Sequence, residues 1–232
     1  MITPVHLHSD LSRLGRETDM FLATVASLSD DEMAAPSLCD GWSRAHVIAH
    51  VASSGRALVN LIDAAVSGGE RQLYASPEAR AQEIAELAAL PREELLDDLR
   101  TSARYFAGQA QRLNGELVAP EVSMNGKVVP ATSIVALRIA EVVVHHHDLD
   151  TSWTIGEADP DSLLNALEAV VHSLRAKEAP GMTLVTEERD QWIIGNGALR
   201  VESDREGLLA WLARGDAGQV KAEVPVPALP GW

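Results

Sequence analysis

Glu141 and His145 are four residues apart in a segment that is otherwise apolar. On an α-helix, residues with this spacing lie on the same face one turn apart, so their side chains can converge on one point. His50, in an earlier apolar segment, could reach that point from a facing helix. Two imidazoles and one carboxylate, with a fourth position open, are typical of catalytic zinc. The spacing therefore predicts a metal site between helices, and with it an enzyme.

A second histidine allows an alternative ligand set. A lone histidine on a helix is more often a buried polar residue than a ligand, but a buried carboxylate such as Glu141 is costly without a partner. His46 precedes His50 by one helical turn, so His46, His50 and Glu141 form the alternative set. His46 would lie in the first turn of its helix, closer to solvent. This position favours His50 as the ligand.

Three consecutive histidines begin at His145, and they cannot all face Glu141. Consecutive helical residues diverge by about 100°, so His146 and His147 are predicted to be surface residues or supports for the site. Asp148 follows His145 by three residues. It is either a carboxylate that fixes an imidazole tautomer or a solvated charge near the helix end.

The ligands require long helices to position them. Apolar residues recur at spacings of three and four in four segments, which predicts long helices over residues 8–28, 43–67, 92–114 and 132–153. Ser43 is the expected N-cap of the second, and Thr132 or Ser133 of the fourth. A shorter helix is expected over 76–89, and residues 118–130, around Asn125-Gly126, form a hairpin or an irregular loop. This pattern resembles a four-helix bundle, a scaffold that places metal ligands on facing helices.

The pattern changes after Gly156. Two helices, over residues 160–177 and 204–213, alternate with short strands at 182–185, 191–194, 198–202 and 220–224. A tight hairpin turn is expected at residues 195–197. The predicted fold is therefore mainly α, with a metal-binding four-helix bundle over residues 1–155 and a smaller C-terminal α+β domain over 156–232.

Composition disfavours some classes of partner. The chain has 232 residues, of which 46% are hydrophobic, enough to build a packed core. Its 34 acidic and 19 basic residues give a net charge of −15. This charge disfavours binding to nucleic acid or to an anionic membrane. An anionic substrate would need a local positive pocket.

The single cysteine, Cys39, excludes an intramolecular disulfide and favours a reducing compartment. We expect it to be an inert, small side chain. The N-terminus lacks a basic region followed by an apolar run, and no apolar segment approaches the length of a membrane span. A cytoplasmic protein is expected.

Several segments resemble the mycothiol-dependent maleylpyruvate isomerase family, within the DinB-like metalloprotein superfamily. They are residues 40–51 (DGWSRAHVIAHV), 74–80 (YASPEAR), 126–131 (GKVVPA) and 140–149 (AEVVVHHHDL), with a weaker likeness at 209–215 (LAWLARG). The resemblance implies a DinB-like bundle in which zinc is held by His50, Glu141 and His145. It also implies an arginine of the C-terminal domain near the active site, and Arg214 best matches that motif.

The resemblance further implies a reaction, the cis–trans isomerisation of maleylpyruvate to fumarylpyruvate by reversible addition of a thiolate. Zinc would bind and deprotonate the sulfur of mycothiol, or alternatively polarise a substrate carbonyl. Arg214 would pair with a substrate carboxylate. The implied partners are thus a small anionic substrate and a low-molecular-weight thiol.

Two alternative functions remain open at this point. A mycothiol-dependent S-transferase could use the same scaffold, since a fold does not determine a reaction. A non-catalytic zinc- or thiol-binding regulatory protein would instead have a closed site with four protein ligands, for example with His46 as the fourth.

Overall fold

The computed structural model describes residues 7–124, 127–177 and 179–232. The predicted turn at Asn125-Gly126 lies outside the described residues, as do the first six residues, on which the expected lack of a signal peptide depends. The chain divides into two compact units, Met1–Trp153 and Thr154–Trp232. We call them the helical unit and the α+β unit.

The helical unit is built on four long helices. Its helices are α1 (Leu7–Ser27), α2 (Asp30–Ala34), α3 (Arg44–Ser67), α4 (Pro77–Ala88), α5 (Arg92–Ala110) and α6 (Ser133–Asp148). Helices α1 and α3 each pack against both α5 and α6, so the four close around an apolar core. The short α4 packs against α3. The predicted four-helix bundle is confirmed.

Two short strands connect the third and fourth long helices. A 3-10 helix (Gln111–Asn114) follows α5, and β1 (Glu121–Met124) then pairs antiparallel with β2 (Lys127–Pro130). Of the two alternatives for this region, the structure therefore has paired strands. Thr132 occupies the predicted N-cap position of α6 but makes no side-chain cap, and the Ser133 hydroxyl donates to the carbonyl of Pro130 at 2.6 Å.

Helix α3 is buried along most of its length because α4, α5 and α6 all pack against it. It begins after Ser43, as predicted, and ends at Gly68, whose φ of 76° lies in the left-handed region that favours glycine. Neither α3 nor any other helix in the described part of the chain has the length and apolarity needed to cross a membrane.

Helix α6 ends five residues before the predicted end at Trp153. The Arg44 guanidinium, at the start of α3, donates to the carbonyls of Leu149 and Asp150, the latter at 2.7 Å. Asp150 has a φ of 50°, which is incompatible with a continuing right-handed helix. A long-range contact thus satisfies the terminal carbonyls, and local periodicity could not reveal it.

The α+β unit has two helices and one sheet. Its elements are a 3-10 helix (Ile155–Glu157), α7 (Pro160–Ala176), β3 (Met182–Thr186), β4 (Gln191–Ile194), β5 (Leu199–Ser203), α8 (Arg205–Arg214) and β6 (Lys221–Ala222). The strand order is β4-β3-β5-β6. The two helices pack against each other, and each also contacts the sheet, α7 at β4 and α8 at β5.

The predicted tight turn at residues 195–197 is present, since the amide of Gly197 donates to the carbonyl of Ile194 at 3.1 Å, but the predicted hairpin is wrong. Strand β4 pairs antiparallel with β3, whereas β5 pairs parallel with β3 on its other side, so the chain crosses β3 between them. The crossing passes against Gly181. A Cβ on Gly181 would lie 1.8 Å from Oδ1 of Asn196. Glycine at this position leaves room for the crossing, which the turn-like sequence alone did not indicate.

Candidate metal centre

Three side chains from two facing helices converge in the helical unit. His50 lies on α3, and Glu141 and His145 lie one turn apart on α6. Oε2 of Glu141 is 3.0 Å from Nε2 of His50 and 3.6 Å from Nε2 of His145. One possible ligand atom from each residue lies within 4.8 Å of the other two. The structure thus brings together the three residues that the sequence nominated, in a donor set suited to zinc.

The cluster is closed on one side and open on the other. The two histidines are buried, but the Glu141 side chain is 26% exposed. The imidazole rings are nearly perpendicular, at 85°, with centroids 4.5 Å apart. A small ligand can therefore approach from the side of the carboxylate, as a three-ligand site with a vacant fourth position requires.

The protonation states of His50 and Glu141 favour binding of a cation. Burial, together with the charge of His145, lowers the pKa of His50 below its usual value. Burial alone would raise the pKa of Glu141, but the hydrogen bond and charge of His50, with the charges of His145 and Arg138, lower it to about 2. At neutral pH the site presents an ionised carboxylate and a neutral His50 imidazole, the forms that ligate metals.

Asp148 orients the second imidazole. Its Oδ2 atom is 2.6 Å from Nδ1 of His145, and the Cys39 thiol donates to the same oxygen at 3.3 Å. Asp148 is fully buried, so it is not a solvated charge. Because the carboxylate accepts the Nδ1–H proton, the lone pair of Nε2 is directed toward Glu141.

Cys39 and Asp148 belong to a second group of residues that could hold a metal ion. Together with His145 they place three possible ligand atoms within 4.8 Å of one another. Both the thiol and Nδ1–H donate to the Asp148 carboxylate, however, so these atoms carry protons where a metal ligand would need a free lone pair. We interpret these residues as the support of His145.

The comparison with known families gives this site a context. The model of the mycothiol maleylpyruvate isomerase N-terminal domain matches residues 14–150, more than half of the chain. The chain belongs to this family. The matched region includes His50, Glu141 and His145 and ends before the α+β unit.

Solved structures extend the likeness to the whole chain. A crystal structure described as mycothiol-dependent maleylpyruvate isomerase is 28% identical, and one of the H52A mutant of such an isomerase is 27% identical. Each has a TM-score of 0.86, and the alignment covers 100% of both chains. No curated protein matches the sequence.

In this member of the isomerase family, the alternative ligand set is not assembled. Nδ1 of His46 lies 2.8 Å from the hydroxyl of Ser43, and its ring stacks on Trp42. Within the described ranges, His46 belongs to no group of three converging ligand atoms. The same observation disfavours the closed four-ligand site expected of a regulatory zinc protein.

His146 is buried, contrary to the predicted surface or supporting position. Its ring stacks on Trp153 at 3.8 Å, and Nε2 lies 2.7 Å from the hydroxyl of Thr24 on α1. Burial lowers its pKa to about 3. His146 therefore packs α6 against α1, away from the metal cluster, whereas His147 is only half-buried.

Arg138 is a buried cation that sequence reasoning did not identify. It lies almost one turn before Glu141 on α6 and donates to the carbonyl of Val51 and the hydroxyl of Ser54, both at 2.8 Å. Burial lowers its pKa to about 10. Even so it remains charged at neutral pH, and its charge helps to keep Glu141 ionised.

Arg80 is the second site residue that the sequence argument missed. Its Nη2 atom lies 3.2 Å from Nδ1 of His50, and its guanidinium carbon lies 5.8 Å from the centroid of the Tyr74 ring. Residues 74–80 were recognised only as resembling the isomerase family. The contact depends on the packing of α4 against α3, for which no local spacing gives a signal.

Arg214, the predicted catalytic arginine, lies at the C-terminal end of α8 in the α+β unit. Its Nη1 atom donates to the carbonyl of Ala213 at 2.7 Å, and its guanidinium carbon lies 5.9 Å from the centroid of the Trp232 ring. Its role in the reaction stays a prediction.

Proposed function

We propose that the protein is a zinc- and mycothiol-dependent isomerase that converts maleylpyruvate to fumarylpyruvate. The observation that carries the proposal is the open cluster of His50, Glu141 and His145 in a chain of the mycothiol maleylpyruvate isomerase family. The whole-chain likeness to crystal structures described as mycothiol-dependent maleylpyruvate isomerase supports the same reaction.

The residues of the cluster have distinct roles in this proposal. His50, Glu141 and His145 would hold the zinc, and Asp148 fixes the tautomer of His145 so that the lone pair of Nε2 is available as a ligand. Zinc supplies one property, the lowered pKa of a coordinated thiol. The exposed side of Glu141 leaves the approach through which the thiol and the substrate enter.

The substrate is a conjugated alkene, and its isomerisation requires rotation about a carbon–carbon double bond. Bonding of an alkene carbon to a thiolate sulfur moves the π electron pair onto the conjugated carbonyl and leaves a single bond. The substrate then rotates. Return of the electron pair re-forms the double bond in the trans geometry and breaks the carbon–sulfur bond, so no atom or proton is gained or lost. Arg214 is proposed to pair with a substrate carboxylate, for which its planar fork is suited.

Turnover tests the proposal directly. Zinc-loaded protein is incubated with maleylpyruvate and mycothiol while the enol absorbance is followed. We expect conversion that requires both zinc and the thiol, with the thiol concentration unchanged after many turnovers. Absence of thiol-dependent conversion would refute the isomerase assignment, and consumption of mycothiol in step with the substrate would indicate an S-transferase.

A separate measurement tests the ligands. His50→Ala should lose bound zinc while its helical circular dichroism signal is retained, because one of three protein ligands is removed. His46→Ala is the matched control on the same helix and should retain zinc. Zinc retention by His50→Ala together with its loss by His46→Ala would show that the ligand set is wrong.

A further inference from the structure

Arg80 is a half-buried cation beside the metal cluster. It lies on α4, and its Nη2 atom is 3.2 Å from Nδ1 of His50, a proposed ligand. It also faces the Tyr74 ring, with the guanidinium carbon 5.8 Å from the ring centroid. Within residues 7–124, 127–177 and 179–232, it forms no ion pair with a carboxylate.

The nearest acidic residue on the same helix face is engaged elsewhere. Glu83, one turn after Arg80, pairs with Nη2 of Arg56 at 3.2 Å. Nη1 of Arg56 also pairs with Oδ2 of Asp98 at 2.9 Å, so these charges form a separate network between α3, α4 and α5. In a chain with 34 acidic and 19 basic residues, an arginine at the site that is left without an acidic partner is suited to an external anion.

The contact between Arg80 and His50 has a consequence for the protonation of the imidazole. A guanidinium only donates hydrogen bonds, so Nδ1 of His50 accepts, and Nε2–H donates to Glu141 at 3.0 Å. Metal ligation through Nε2 would require the ring proton on Nδ1, which can then no longer accept from Arg80. Metal ligation by His50 would therefore free the Nη2–H donor of Arg80 for another acceptor.

We propose that Arg80 binds the substrate carboxylate that is attached directly to the reacting double bond. This inference rests on the proposed function. Maleylpyruvate has carboxylates at both ends. One is bonded to an alkene carbon, and the other is separated from the alkene by two carbonyls and a methylene. Because Arg80 contacts a ligand of the metal at which the thiol would be held, the carboxylate on the alkene is the one within its reach.

The test uses maleate, which carries the same cis-alkene carboxylate and can be measured without the thiol. Binding to zinc-loaded protein is followed by calorimetry in the wild type, Arg80→Gln and Arg80→Lys. Arg71→Gln is the matched control because it removes the same charge from an exposed position before α4. We expect Arg80→Gln to weaken maleate binding about 10- to 100-fold, since it removes a charge-assisted hydrogen-bonded pair. Arg80→Lys should fall between it and the wild type, because lysine keeps the charge but not the planar fork.

Zinc content and kinetics separate substrate binding from a purely structural role. Each variant should retain zinc and its helical content, and Arg80→Gln should raise the KM for maleylpyruvate more than it lowers kcat, leaving the KM for mycothiol unchanged. Equal maleate binding by the wild type and Arg80→Gln, no maleate binding by either, or loss of zinc from Arg80→Gln would overturn the inference. Weakened maleate binding in Arg80→Gln, combined with no thiol-dependent turnover by the wild type, would support Arg80 as the carboxylate site while refuting the isomerase proposal.

Discussion

Glu141 keeps its negative charge in a mostly apolar environment because cations and hydrogen-bond donors surround it. The Nε2 atoms of His50 and His145 lie within 3.6 Å of its Oε2 atom, and the buried Arg138 lies almost one helical turn earlier. Removal of any one of these partners would remove part of the compensation for the desolvation of the carboxylate. The ionised state of Glu141 therefore depends on several neighbours at once, and a bound cation would add to their effect.

A substitution of Asp148 tests whether this residue supports the proposed ligand His145. Asp148→Asn replaces the carboxylate that accepts from Nδ1 of His145 at 2.6 Å. The amide accepts a weaker hydrogen bond, so the imidazole is less basic and less firmly oriented. We expect zinc affinity to fall about 10- to 100-fold, measured by competition with a zinc-sensitive chelating dye.

Cys39→Ala is the control for that variant. It removes the hydrogen bond from the thiol to Asp148 but leaves the carboxylate and His145 in place. Its zinc affinity should remain within about threefold of the wild-type value, because the hydrogen bond that orients the imidazole is retained. A larger loss in Cys39→Ala than in Asp148→Asn would show that the thiol, rather than the carboxylate, supports the site.

The three proposed ligands could be predicted from sequence, whereas their surroundings could not. Glu141 and His145 share a face by helical periodicity alone, and His50 lies in a helix whose start at Ser43 was recognisable. Arg80 contacts His50 only because α4 packs on α3, and no spacing along the chain encodes this packing. The burial of His146 likewise depends on α1, which lies more than a hundred residues earlier.

Among the helices and strands, the predictions fail where a boundary or a strand pairing depends on contacts between residues far apart in the sequence. Helix α3 begins and ends at local signals, a serine and a glycine, and was predicted well. Helix α6 ends early because Arg44 binds the carbonyls after it. In the α+β unit, the strands were located correctly, but their pairing was not, since Gly195 and Gly197 serve a crossing connection rather than a hairpin.

The crossing predicts a strong requirement for glycine at position 181. Gly181→Ala would place a Cβ 1.8 Å from Oδ1 of Asn196 and 3.1 Å from its backbone nitrogen. Moving that side chain also disturbs its hydrogen bond from the amide of Ala198. We expect a loss of about 1–3 kcal/mol in the free energy of unfolding, measured by urea denaturation.

Gly15→Ala is the matched substitution on α1, where an added Cβ meets no atom within 4 Å. Alanine is favoured over glycine inside a helix, so this variant should be more stable by about 0.5–1 kcal/mol. Equal effects of the two substitutions would mean that the crossing does not depend on the missing side chain.

An ion pair links several elements of the α+β unit and predicts a pH dependence. Asp190 accepts from Nε and Nη2 of Arg205 at 2.6 and 3.1 Å, and Arg205 also donates to the carbonyl of Pro160. The hydrogen bond from Arg205, aided by that from Thr186, lowers the pKa of Asp190 from 3.8. The folded state therefore gains stability when Asp190 is ionised, and the gain is lost as the pH falls below 3.8 and through the lowered pKa.

Asp190→Asn should accordingly lower the free energy of unfolding at pH 7 by about 1–3 kcal/mol. The difference from the wild type should shrink as the pH approaches 3, as measured by urea denaturation at several pH values. Glu202→Gln disrupts the more exposed pair with Arg200 and should cost less than about 1 kcal/mol. A difference for Asp190→Asn that stays constant from pH 7 to pH 3 would contradict the assignment.

At the scale of the whole molecule, the few cations near the metal cluster contrast with the overall charge. The chain has a net charge of −15. Even so, Arg80 contacts the proposed ligand His50, and the charge of Arg138 acts on the proposed ligand Glu141. An anionic substrate thus approaches a negative protein but meets positive charge at the site. Specific pairing, rather than the long-range field, must supply its affinity.

Metal binding should stabilise the folded protein as a whole, because the ligands come together only when α3 and α6 are packed. Free zinc at a hundred times its Kd contributes about 2.7 kcal/mol, which corresponds to a rise of about 5–10 °C in Tm for a chain of this size. Differential scanning calorimetry with zinc and with a chelator measures the shift. The shift should vanish in His50→Ala and persist in His46→Ala, and equal shifts in both would argue against ligation by His50.

Trp42 gives the cluster an optical signal of its own. Its indole ring lies 5.6 Å from the ring of His50 and stacks on His46. Three of the five tryptophans, Trp192, Trp211 and Trp232, belong to the α+β unit, and Trp153 stacks on His146. A metal bound by His50 would place a charge close to Trp42, so we expect the intrinsic fluorescence of the unlabelled protein to change when the site is filled.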